Sequence, residues 1–135
     1  MGISRGILRR CPTSEEPLEG TEPSGEATMK EKKLYHKLVR DRIPEIIQEA
    51  GKDFQVRQER GDRLQDYAMR KLQEEVMEFV ENPCAEEAAD IVEILNFICH
   101  RLGIRHKSVE AQRLSKAATR GTFEMGYILE WVENS

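Results

Sequence analysis

The sequence predicts an all-α protein: an antiparallel four-helix bundle that oligomerises and ends in a short extended C-terminal segment. Three observations favour this class. Apolar residues recur every three to four positions over long stretches, the connections between these stretches are short, and glycine or proline stands at their ends. Short connections make successive helices antiparallel neighbours, so we expect each helix to pack against the next.

Composition narrows the class further. The chain has 135 residues, a net charge of −4 and 39% hydrophobic residues, which fits one domain. The charge is small and no basic stripe with interleaved aromatic residues is present, so we expect no nucleic-acid partner. No apolar run has the length of a membrane span and no signal peptide is evident, so we expect a cytoplasmic protein without membrane contact. Three cysteines without CxxC spacing indicate neither a disulfide framework nor a zinc site.

The first segment, residues 1–28, is rich in Gly, Pro, Ser, Thr and Glu and has almost no apolar periodicity. This composition is typical of a disordered tail. A tag, an extended reading frame and a regulatory tail are all compatible with it. We expect the folded domain to comprise residues 29–135.

The first two helices are indicated by their ends. Pro44 suits the first turn of a helix, and Gly51 suits its left-handed end. The segment 54–58 that follows is short and is interpreted as an extended passage or a brief strand. The second helix is predicted to begin at Gly61, with Asp62 and Gln65 spaced as a capping box.

Two further helices complete the predicted bundle. Asn82 and Pro83 suit the cap and first position of the third helix, which Gly103 closes. The fourth is predicted from Ser108 to about Arg120. Because the third helix is apolar around most of its circumference, it is predicted to be buried, and three small neighbours cannot cover it. We therefore expect a homodimer or homotetramer.

Acidic residues cluster on the second and third helices, within QEEVMEFVENPCAEEAADIVE. The second helix carries Glu74, Glu75 and Glu78, and the third carries Glu86, Glu87, Asp90 and Glu93. Spacings of three and four residues put each group on one helical face, and the antiparallel turn brings the faces together. Two such charges about 4 Å apart repel by roughly 4 kcal/mol at an effective dielectric of about 20. The alternative is a solvated acidic face, but the surrounding apolar residues favour a Mg²⁺ site.

Basic residues form a second constellation. Arg113, Lys116 and Arg120 share a face of the fourth helix, and Lys37 and Arg40 form a pair near the start of the domain. The alternatives are complementation of the helix dipole for Lys116 and Arg120, and ordinary surface charge for the other pair. Carboxylates for Mg²⁺ together with separate cations indicate a polyphosphate ligand. No GxxxxGK[ST] loop is present, so P-loop chemistry is not expected.

The motifs resemble those of a known family. EEVME followed by EAAD is similar to the EExxE and ExxD signature of MazG-like nucleoside triphosphate pyrophosphohydrolases, an all-α superfamily that includes the phosphoribosyl-ATP pyrophosphohydrolases. KLVRDRIPEII and KAATRGTFEMG resemble the two ends of a compact subgroup, so the resemblance spans roughly Leu34 to Gly126. The connector between the two acidic signatures is shorter than is usual in the family, which leaves Glu86 as an alternative to Glu87.

The resemblance implies a reaction and a role for each matching residue. The reaction is Mg²⁺-dependent hydrolysis of a nucleoside triphosphate, canonical or damaged and of ribo or deoxy type, to the monophosphate and pyrophosphate. The implied Mg²⁺ ligands are Glu74, Glu75, Glu78, Glu87 and Asp90. Glu75 and Glu87 are the expected catalytic residues, with Glu87 a ligand or the base that orients water. Lys116 and Arg120 are expected to bind phosphates, together with the pair Lys37 and Arg40.

Three alternatives remain open at the level of sequence. Within the enzyme class, the substrate could be phosphoribosyl-ATP. The chain could also be a catalytically silent helical module that binds a nucleotide or a protein partner. Finally, it could be a structural helical dimer whose acidic residues are solvated. Stabilisation of the fold by Mg²⁺ distinguishes this last alternative from the others.

Overall fold

The fold consists of α-helices joined by short irregular segments. A computed structural model of the chain describes residues 31–134, and over this range it contains four helices and no strand. The helices are α1 Ile43–Glu49, α2 Gly61–Glu81, α3 Ala85–Arg101 and α4 His106–Arg120. The predicted all-α class is confirmed. The predicted tail, residues 1–28, lies outside the described residues.

Several helix ends agree with the sequence. Pro44 stands in the first turn of α1, and Gly51 follows that helix with a φ of 78°. Gly121 follows α4 with a φ of 86°, and its amide donates a hydrogen bond to the carbonyl of Ala117 at 3.0 Å. A positive φ is accessible to glycine without strain, which explains why glycine marks both positions.

Other ends differ from the prediction. The N-cap of α2 is Arg60 and no side chain caps this end, so the predicted capping box of Asp62 and Gln65 is wrong. Asp62 lies inside the first turn, where its charge favours the helix dipole. Asn82 caps the C-terminus of α2 and does not begin α3, which starts three residues later.

The chain divides into two compact units, one ending at Ile98 and the other beginning at Cys99. In the first unit, the buried core joins α2 to α3 through Ala68, Ile94 and Ile98. Leu38, Leu72 and Phe97 are partly buried and pack against this core. The alanine at position 68 has no exposed surface, which is consistent with close approach of the two helices.

Helix α3 is not enclosed by the single chain. Its buried residues are Glu87, Ile94 and Ile98, whereas Val92 is 54% exposed and Leu95 is 41% exposed. In one copy of the described chain α3 is therefore only partly buried, as expected if the other helices of that copy cannot cover it; burial by a second copy stays a prediction. In the second unit, α4 contains no buried residue. Periodicity identified which positions are apolar, but what covers them depends on contacts that periodicity does not specify.

The remaining segments are irregular. Residues 54–58 form no strand, and residues 121–134 form neither helix nor strand. A turn in the C-terminal segment is closed by a hydrogen bond of 3.1 Å from the amide of Gly126 to the carbonyl of Phe123.

Cys99 is a free thiol, but Cys84 takes part in a disulfide, which the odd cysteine count did not predict. No helix of the described range is long and apolar enough to cross a membrane.

The small core makes stability sensitive to Ile98. We expect Ile98→Ala to lower the free energy of unfolding by roughly 2–5 kcal/mol, because it removes buried methyl groups and leaves a cavity. Urea unfolding followed by circular dichroism measures this change. Asn96→Ala, at an exposed position of the same helix, is the matched control, and we expect it to change stability by less than about 0.5 kcal/mol. Equal losses in the two variants would contradict the assigned core.

Candidate functional site

Three carboxylates converge where α2 meets α3. Glu75 of α2 and Glu87 and Asp90 of α3 each offer one oxygen, and these oxygens lie within 4.8 Å of one another. Glu75 and Glu87 are each only 6% exposed. The spacing of three residues between Glu87 and Asp90 places both on the helical face that meets α2. Buried carboxylates at this separation repel each other strongly unless positive charge is close.

Three basic side chains supply positive charge to this cluster. The Nζ atom of Lys71 lies 3.1 Å from Oε2 of Glu75 and 3.5 Å from Oε1 of Glu74. The Nζ atom of Lys37 donates a hydrogen bond of 2.7 Å to Oε2 of Glu74. The guanidinium of Arg40 donates a hydrogen bond of 2.7 Å to Oδ1 of Asp90. The acidic face is therefore partly neutralised by the chain itself.

The segment from Lys37 to Arg40 is held across both helices by these contacts. Lys37 reaches α2, Arg40 reaches α3, and Leu38 between them packs against the core. The segment has no regular secondary structure. Its position therefore depends on two ion pairs and one apolar contact.

The protonation of the cluster is shifted from ordinary values. Burial, together with the neighbouring charges of Glu78, Asp90 and Glu75, raises the pKa of Glu87 to about 7. Burial and the charges of Glu75 and Glu74 also raise the pKa of Glu78. Although burial opposes it, the hydrogen bond from Lys37 and the charge of Lys71 lower the pKa of Glu74. The raised pKa values of Glu87 and Glu78 mean that these two carboxyl groups ionise less readily than an ordinary exposed glutamate.

Two features make this cluster suitable for binding a divalent cation. The Oε1 atom of Glu87 is buried and accepts no hydrogen bond. In addition, within residues 31–134 the five predicted ligands face three basic side chains, so about two negative charges have no partner there when all five are ionised. Hard cations such as Mg²⁺ prefer carboxylate oxygens, and one such ion would neutralise the excess.

The acidic residues that were predicted from the sequence lie near one another, but only some of them converge on one point. Glu75, Glu87 and Asp90 form the converging set, and Glu86 is not part of it. Glu74 is engaged by two lysines. Glu78 is exposed at the margin of the cluster, close enough for its charge to raise the pKa of Glu87.

The predicted phosphate-binding residues fall into two groups. Lys37 and Arg40 contact proposed metal ligands in the first unit. Lys116 and Arg120 lie on α4 in the second unit. Sequence reasoning missed Lys71, although its spacing of three and four residues from Glu74 and Glu75 is a signal for such pairs.

The raised pKa of Glu87 predicts a pH dependence of stability. Because its folded-state value, about 7, lies above the ordinary 4.5, ionisation of Glu87 destabilises the metal-free fold as pH rises between these values. We expect Glu87→Gln in EDTA to lose less thermal stability than the wild type between pH 5 and pH 8. Glu81→Gln, an exposed site on α2, is the control and should retain the wild-type slope. Parallel slopes for Glu87→Gln and wild type would contradict this assignment.

Comparison of the chain with protein-family models, with curated proteins and with solved structures finds no match in any of the three.

Proposed function

We propose that the protein is a Mg²⁺-dependent nucleoside triphosphate pyrophosphohydrolase of the MazG-like kind. Its substrate would be a canonical or damaged ribo- or deoxyribonucleoside triphosphate, and its products the monophosphate and pyrophosphate. The observation that carries the proposal is the convergence of Glu75, Glu87 and Asp90, with a buried oxygen of Glu87 that accepts no hydrogen bond. The resemblance of EEVME and EAAD to the family signature supports the choice of reaction.

The proposed metal ligands are the five carboxylates Glu74, Glu75, Glu78, Glu87 and Asp90. Glu75, Glu87 and Asp90 form the centre, since their oxygens already converge. Bound there, Mg²⁺ supplies positive charge that offsets the substrate phosphates and favours deprotonation of water. Coordination by a few carboxylates together with substrate phosphates is the usual mode for this ion.

Glu87 is the proposed general base. Its Oε1 atom accepts no hydrogen bond from the described residues, so this oxygen is available to accept a proton from water. As water attacks phosphorus, its proton would pass to the carboxylate, and the bond between the α- and β-phosphates would break. Glu75, held by Lys71, would help to orient the water.

Basic residues are proposed to bind the phosphates. Lys37 and Arg40 have side chains that are 33% and 55% exposed, so both are accessible to a ligand. Their carboxylate partners are themselves proposed metal ligands. We propose that the two side chains exchange these carboxylates for phosphate oxygens when substrate binds, which would stabilise the departing pyrophosphate. The phosphate-binding role of Lys116 and Arg120 stays a prediction from the sequence.

Several copies of the chain are proposed to associate. We propose that the four helices form an antiparallel bundle and that the chain acts as a homodimer or homotetramer. The exposed apolar side chains of α3, Val92 and Leu95, support association, because burial of apolar surface favours it. Since the proposed substrates are nucleotides of the cell interior, we expect the protein to act in the cytoplasm.

Activity is the direct test. We expect the wild type to release pyrophosphate from one or more members of a panel of canonical and modified triphosphates, only when Mg²⁺ is present. Glu75→Gln and Asp90→Asn should lower kcat/KM by about 100-fold or more, because each removes a charged ligand. Glu81→Gln, outside the cluster on the same helix as Glu75, should retain wild-type activity.

Each negative result has a distinct meaning. If no triphosphate is hydrolysed, phosphoribosyl-ATP is the next substrate to test. If that compound is also inert, catalysis is excluded for these substrate classes. Loss of activity in Glu81→Gln equal to that in Glu75→Gln would show that the effect is unspecific.

Metal binding can be tested without turnover. We expect millimolar Mg²⁺ to raise the melting temperature of the wild type at pH 8, because an ion that binds only the folded state stabilises it. Asp90→Asn should reduce this increase, and Glu81→Gln should retain it. A wild-type melting temperature that is the same in Mg²⁺ and in EDTA would indicate a solvated acidic face.

A further inference from the structure

The C-terminal arm, residues 121–134, is an apolar segment that the chain does not cover. Phe123 is 96% exposed, Tyr127 is 84% exposed and Trp131 is 80% exposed. The arm follows α4 through Gly121, whose φ of 86° turns the chain out of the helix. Three exposed aromatic residues within nine positions are unusual for a segment that contacts only water.

The apolar area of the arm is large enough for a specific interface. An aromatic side chain buries roughly 150–250 Å² when it is covered, so the three rings alone offer on the order of 500 Å². Ile128, Leu129 and Val132 are also 68–80% exposed and add to it. Two arms in a symmetric pair would therefore bury about 1,000 Å² or more of apolar surface on the arm side, which is within the range of stable protein interfaces.

A matching surface lies on α4. An open groove of about 390 Å³ is lined by Ile104, Ser108, Val109, Gln112, Arg113 and Lys116. Ile104 and Val109 provide apolar contact and are 44% and 38% exposed. The arm of the same chain does not cover this helix, since α4 has no buried residue.

The charges of the two surfaces are complementary. The arm contains Glu124, Glu130 and Glu133 and no lysine or arginine. Arg113 and Lys116 are the basic residues that line the groove, and Arg105, the N-cap of α4, follows the lining residue Ile104. Arg113 lines the groove and also pairs with Glu110 of its own helix at 2.5 Å. Burial of apolar surface favours contact between the arm and the groove, and their opposite charges add an electrostatic attraction.

We propose that the arm of one copy binds in the α4 groove of a second copy, and that the second copy returns the same contact. Each chain presents both surfaces, so one two-fold axis satisfies both and leaves neither exposed. Exchange of an identical segment between two copies is a known route to dimers. The inference concerns assembly through the second unit and does not depend on hydrolysis.

A charge-reversal experiment tests the contact. Glu124→Lys with Glu130→Lys reverses the arm, and Arg105→Glu with Arg113→Glu reverses the groove; neither variant alters a proposed site residue. We expect each variant alone to dimerise at least about 10-fold more weakly than the wild type in sedimentation velocity. An equimolar mixture should form a heterodimer, because both of its contacts then join opposite charges.

A matched control separates this effect from net charge. Glu49→Lys with Glu81→Lys changes the net charge by the same amount and sign as the arm reversal, at exposed positions outside both surfaces, and it should dimerise like the wild type. Circular dichroism of each variant checks that the helices are retained. A monomeric wild type, a dimer unaffected by either reversal, or a mixture that fails to associate would overturn the proposal.

Trp131 provides a second readout because it is the sole tryptophan of the chain. We expect its emission to shift to shorter wavelength as the protein concentration rises through the dimer dissociation constant. The arm-reversed variant should retain water-exposed emission over the same range. Emission that stays water-exposed in a wild-type dimer, or that is already shielded in a monomer, would show that the arm lies elsewhere and would overturn the proposal.

Discussion

The first unit depends on how buried negative charge is neutralised. Glu75 and Glu87 are almost fully buried at the contact between α2 and α3, beside an apolar core that has three buried residues in the described part of the chain. An unpaired buried charge costs several kcal/mol, a large fraction of the stability of a small protein. The two helices can therefore pack at this point only if a positive charge neutralises these carboxylates or a proton binds to them. Lys71 forms an ion pair with Glu75. The pKa of Glu87 is raised, so this side chain ionises less readily.

The same constraint explains the course of the chain before α1. The segment that contains Lys37 and Arg40 has no secondary structure, yet it reaches both helices through ion pairs. Partly exposed pairs of this kind stabilise weakly, by about 0–1 kcal/mol each. Leu38 adds an apolar contact with the core. A segment held this weakly is suited to giving up its carboxylate partners to a ligand, which is how the proposed phosphate contacts would form.

The helices and the acidic cluster could be predicted from sequence because both arise from local spacing. The start at Pro44, the end at Gly121 and the convergence of Glu75 with Asp90 follow from helical periodicity and a short turn. The partners of Lys37 and Arg40 are 37 and 50 residues away, and no spacing rule specifies such contacts. The predicted cap at Asp62 was wrong although the residue type suits a cap, because the N-cap position is occupied by Arg60, two residues earlier.

Burial was the least predictable property, and the reason bears on how the protein is organised. Apolar periodicity on α3 and α4 indicated faces to be covered, but Val92 on α3 and Leu114 on α4 are each 54% exposed in one copy. The converging carboxylates all belong to the first unit, whereas the arm and its complementary groove belong to the second. Ion binding and association through the arm would therefore draw on separate sets of side chains. Substitutions in one set can then be made without removing the charges or apolar contacts on which the other depends.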